Sequence, residues 1–89
     1  MPELARFYGI IIRMFAETGE RHHHPHFHVV SSSGEAVVAI DDLAILAGAL
    51  TARDSRLVAA WAELHRAELL DNWSRLQAGG RVVPIEPLR

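Results

Sequence analysis

An α+β domain is the fold this sequence predicts: an antiparallel meander of three strands, or four, packed on one long C-terminal amphipathic helix and followed by an extended tail. Three observations carry that expectation. The first half holds β-branched and aromatic runs separated by turn residues. The second half holds an apolar stripe at helical spacing. The last residues are extended and carry prolines.

The first strand is expected over residues 7–15, Phe-Tyr-Gly-Ile-Ile-Ile-Arg-Met-Phe, bounded by the polar Thr18-Gly19-Glu20. Alternation along a strand sets Tyr8, Ile10, Ile12 and Met14 on one face, and Phe7, Gly9, Ile11, Arg13 and Phe15 on the other. A second strand over 26–31 follows Pro25 and alternates Phe27 and Val29 with His26 and His28. Ser32-Ser33-Gly34 makes a turn, and residues 35–40 form a third strand. Residues 41–50 fit either a short edge strand or a helical turn, with Gly48 arguing against a long element.

Thr51 and Asp54 have the spacing of a helix-capping pair, so a helix is expected from about 52 to 77, where Ala78-Gly79-Gly80 stops it. Val58, Trp61, His65, Leu69, Asn72 and Leu76 recur every three or four residues and form the face that packs on the sheet. Residues 81–89 suit a wrapping tail or an edge better than a central strand, because Pro84 and Pro87 lack a backbone donor.

Length and composition narrow the function. The 89 residues make a single domain, 1–89, with room for one modest core and one site. All nine basic residues are arginines, against eleven acids, for a formal net charge of −2. No global field draws such a chain to nucleic acid or anionic lipid, so any RNA contact must rest on a local patch. The absence of cysteine excludes disulfides, thiolate metal sites and cysteine nucleophiles. No apolar run approaches the ~20 residues needed to span a membrane, and the first residues lack signal-peptide order, so the expected location is the cytoplasm.

Five of the six histidines fall between His22 and His28. On a strand, His26 and His28 project from the same face about 7 Å apart, close enough to share zinc or another divalent transition metal. They supply two ligands where a zinc site needs three or more, and His24 would extend the row. The plainer alternative is a solvated loop at His22 to His24 with His26 and His28 hydrogen-bonded across the sheet. His65 and Glu68, three apart on a helix, form a second candidate pair. Its ordinary explanation is a buried histidine with one hydrogen-bond partner, since Trp61 and Leu69 flank it in the stripe.

Whether these groups meet depends on which face of the second strand looks at the helix. Phe27 and Val29 beside the isoleucines of the first strand make the cheaper core. His26 and His28 then point outward with Arg13, Phe7 and Ile11, forming an apolar patch bearing cations that a second subunit, a small partner protein or RNA could cover. The opposite orientation would gather His26, His28, His65 and Glu68 into one buried cluster.

Four ordered blocks also carry a likeness: Arg6-Phe7-Tyr8-Gly9-Ile10-Ile11-Ile12-Arg13-Met14, Pro25-His26-Phe27-His28-Val29, residues 61–73 from Trp61 to Trp73, and Ile85-Glu86-Pro87-Leu88. Together they resemble the small bacterial family catalogued as domain of unknown function 4160. The chain departs from the family's usual proline pair by placing His24 ahead of Pro25. Genes of that family commonly lie beside a second small gene, and such pairs are labelled toxin-antitoxin modules. The resemblance therefore implies a toxin-like component with a small partner protein encoded nearby. If the target is RNA, His28 or His65 would serve as general acid or base, and Arg13 would stabilise charge on the phosphorane.

Overall fold

The computed structural model describes residues 2–16 and 24–89. Its five strands run in chain order across one antiparallel sheet: β1 (Glu3–Phe7), β2 (Ile10–Arg13), β3 (His26–Ser31), β4 (Gly34–Ala39) and β5 (Ile45–Gly48). Two helices follow, α1 (Ala52–Leu64) and α2 (Arg66–Gln77), and then the tail. The α+β class and the meander agree with the sequence; the number of strands, five against three or four, and the single long helix do not.

The strand expected over 7–15 is a hairpin. Tyr8 (φ 48°) and Gly9 (φ 78°) both adopt left-handed backbone, the conformation a two-residue turn needs to match the twist of its strands. The chain therefore reverses inside the apolar run. Tyr8, assigned by alternation to the apolar face, is 54 % exposed at the tip. Phe7, assigned to the other face, belongs to β1 and is buried against Trp61, ring centroids 5.5 Å apart. Thr18-Gly19-Glu20, read as the boundary of that strand, lie outside the described residues.

Residues 41–50 resolve to the edge strand, with Ile45 opposite Val38 and Ala47 opposite Val37 across a bulge. The helix expected from about 52 to 77 instead breaks at His65 (φ −121°, ψ 23°). No glycine or proline marks the break. Two contacts hold it: His65 Nδ1 donates to Glu68 Oε1 at 2.6 Å, and Arg66 Nε donates to the Ile40 carbonyl at 3.1 Å, at the end of β4.

The helix ends match expectation. The Asp54 N–H donates to Thr51 Oγ1 at 3.1 Å, and Gly79, at φ 82°, terminates the second helix. Asp54 is itself buried and accepts from Ser33 Oγ at 2.8 Å, so the first turn of α1 is tied to the β3–β4 turn. That bond, seconded by Ser31 and Arg53, holds its carboxyl below the usual range.

The core lies between one face of the sheet and the helices. Ile10, Ile12, Met14, Phe27, Val29, Val38 and Ile40 meet Val58, Trp61, Ala62, Leu69 and Leu76, all buried. The tail runs along β1, where Ile85 N–H donates to the Leu4 carbonyl at 2.8 Å and Trp61 Nε1 donates to the Glu86 carbonyl at 2.7 Å. Asn72 pins it further by exchanging two hydrogen bonds with Val83.

Candidate functional site: the uncovered face of the sheet

The helices cover one face of the sheet. Residues paired across an antiparallel ladder share a face, so the register maps the other. Arg6, Ile11, Val30 and Glu35 form one row across β1 to β4. Glu3, Arg13, His28, Val37 and Ala47 form the next, running to β5. His26 and Ala39 stand in a third, with Phe15 beyond the end of β2.

His28 occupies the centre. Its ring stacks on Phe15 with centroids 4.4 Å apart, and Arg13 stands directly opposite on β2. On its other side opens a shallow groove of about 260 Å³, lined by His28, Glu35, Val37, Ala47 and Gly48. The groove exists because β5 contributes small residues there. Gly48 has φ 76°, and a Cβ at that position would collide with the Glu35 carbonyl.

His26 shares the face but is buried. Its ring lies 4.9 Å from Trp73 and 5.4 Å from His28, centroid to centroid. Its Nδ1 donates to the His24 carbonyl at 2.7 Å, which places the proton on Nδ1. His24 is exposed and reaches Asp41 Oδ2 through Nε2 at 3.0 Å, and this hydrogen bond lowers the Asp41 carboxyl from its ordinary value. Along β1, the Arg6 guanidinium does the same to Glu3 through a 2.8 Å ion pair.

The residues singled out in the sequence thus divide between two sites. His26, His28 and Arg13 come together on the uncovered face, as the packing of Phe27 and Val29 required. His65 does not join them. It stacks near Trp61, centroids 5.6 Å apart, and Trp61 packs against Phe27 on the covered face, so the sheet separates His65 from His28. His65 does bond to Glu68, but its ring is half-buried rather than buried as its place in the stripe suggested. The imidazoles of His26 and His28 are close enough for two ligands of one ion, while among the described residues no group of three histidines or acids could hold a metal. His22 and His23 lie outside the described residues.

Two contributors escape a reading of motifs. Glu35 walls the groove, and alternation along β4 would have found it, since Glu35, Val37 and Ala39 fall opposite in phase to Ala36 and Val38. Trp73 lies against His26, ring centroids 4.9 Å apart, and no local signal announces a contact between residues so far apart in sequence.

Among the described residues no helix is long and apolar enough to cross a membrane. No curated protein and no solved structure matches the chain. Residues 9–74, which include β2 to β5, α1 and most of α2, match the family model described as Domain of unknown function (DUF4160), and the chain belongs to that family.

Proposed function

We propose that the chain is the toxin-like component of a bacterial two-protein module and that it acts by binding protein through the uncovered face of its sheet. One observation carries this reading. A solvent-facing antiparallel face ordinarily alternates to polar residues, yet here Ile11, Phe15, Val30, Val37 and Ala47 stand among the polar groups. Half-exposed apolar side chains interleaved with polar groups on a sheet face favour a docking site.

RNA is the second reading, favoured by the placement of Arg13 opposite His28, a guanidinium beside an imidazole with Phe15 available for stacking. The chain's net charge of −2 counts against it.

Methyl-resolved NMR with the small protein encoded beside this chain tests the docking reading. The Ile11, Val30 and Val37 methyls should shift on titration, and Val37→Asp should weaken the complex at least about tenfold, as expected for an apolar side chain near an interface centre. Shifts confined to helix positions such as Leu64 and Leu70 would refute it. In cells, growth arrest by the chain alone that His28→Ala abolishes, with no effect of Val37→Asp, would favour the RNA reading.

A further inference from the structure

The row Arg6–Ile11–Val30–Glu35 is complementary to itself. It runs from a cation on β1, through two aliphatic side chains on β2 and β3, to an anion on β4. We propose that a second copy of this chain docks on the uncovered face, sheet against sheet, about a two-fold axis lying in the interface parallel to the strands and midway between β2 and β3. The proposal rests on the reading of that face as a protein-docking surface and names its occupant.

The geometry follows from the register. Such an axis carries β1 of one copy over β4 of the other, and β2 over β3. Ile11 of each copy then meets Val30 of the other, twice. Arg6 of each meets Glu35 of the other, also twice. Packed sheets lie about 10 Å apart, a gap that an arginine and a glutamate extended toward each other can close. The next row brings Arg13 over His28 of the second copy, where a guanidinium can lie on the imidazole face.

Charge order selects the second copy over an arbitrary partner. A generic apolar partner has no reason to present an acid and a base on opposite sides of a two-residue aliphatic strip, whereas the two-fold image of this face does. Arg6 is already paired with Glu3, but both side chains are exposed, and such a pair contributes little and rearranges readily. With the axis midway between β2 and β3 the overlap spans β1 to β4, four strands about 4.8 Å apart and up to about 20 Å long, on the order of 400 Å² per copy. The resulting total of roughly 800 Å² is that of a weak, transient interface, so the dimer should dissociate at roughly 100 μM or above.

Sedimentation equilibrium on the tag-free chain from about 1 μM to about 1 mM tests this. A shift from monomer toward dimer mass is expected across that range. Arg6→Glu and Glu35→Arg should each weaken dimerisation at least about tenfold by setting like charges together twice, and the double exchange should restore it. Circular dichroism checks that each variant is folded. Monomer mass throughout, or a dimer whose affinity ignores the single reversals, overturns the second-copy assignment. The docking reading stands or falls separately on the methyl shifts with the neighbouring protein: monomer mass with those shifts removes only the second copy, and monomer mass without them removes both.

Discussion

Removing the Asn72 side chain should detach the tail before it unfolds the domain. Asn72 is 2 % exposed; its Nδ2 donates to the Val83 carbonyl at 2.9 Å, and its Oδ1 accepts the Val83 N–H at 2.6 Å. The carboxamide therefore pairs with the tail as a neighbouring strand would. Each such hydrogen bond contributes about 0.5–1.5 kcal/mol net. Val83 is 46 % exposed, so water can replace the lost partners once the tail lifts, which keeps the cost of Asn72→Ala near about 2 kcal/mol. For a domain of this size that is a fall of roughly 8–16 °C in Tm. Thermal unfolding followed by tryptophan fluorescence reads the global cost, and amide exchange at Val83 and Ile85 reads the local one. Asn72→Leu discriminates the cause, since it restores volume without polar atoms. If Asn72→Leu recovers natural stability, or if exchange at Val83 and Ile85 is unchanged in Asn72→Ala, the hydrogen-bond account is wrong.

Two further outcomes follow from the fold. The lowered pKa of Asp54 means that its stabilising contribution is complete above the ordinary carboxylate value near 3.8 and is lost as pH falls through the lower folded-state value. Urea midpoints from pH 6 to 2.5 should therefore fall more steeply below about pH 4 in the natural chain than in Asp54→Asn, and equal slopes would contradict the assignment. Glycine-to-alanine exchange should separate two left-handed positions: Gly9→Ala, with open space around its Cβ, should cost about 1–2 kcal/mol, and Gly48→Ala, facing the Glu35 carbonyl, should cost more and loosen β5. Equal unfolding midpoints for the two variants would refute that ordering.

What the sequence made legible was local. Thr51 and Asp54 announced the start of α1, and Ala78-Gly79-Gly80 the end of α2, because caps are satisfied within a few residues. The orientation of Phe27 and Val29 was legible from the cost of burying imidazoles, and it carried His26 and His28 outward with it. The hairpin was not, because β-branched residues follow Gly9 and the run reads as one uninterrupted strand; the turn at Tyr8 and Gly9 is set by pairing with the preceding Glu3–Phe7. The break at His65 was hidden for a different reason. Arg66 finds the Ile40 carbonyl and His65 finds Glu68, and the first of these contacts, 26 residues apart in sequence, cannot be read locally. The contact of His26 with Trp73 was equally unreadable, since it too joins residues far apart in sequence.

Because strand order equals chain order, each strand pairs with the one that precedes it in sequence. Little chain entropy is spent per contact, and the meander can zip from hairpin to hairpin without waiting for a distant segment. The junction of Ile85 with Leu4 is the exception, since it ties together residues near opposite ends of the sequence. That junction is a single long-range tie at the β1 side of the sheet, so when it opens locally the strands bearing His28 should keep their own pairing.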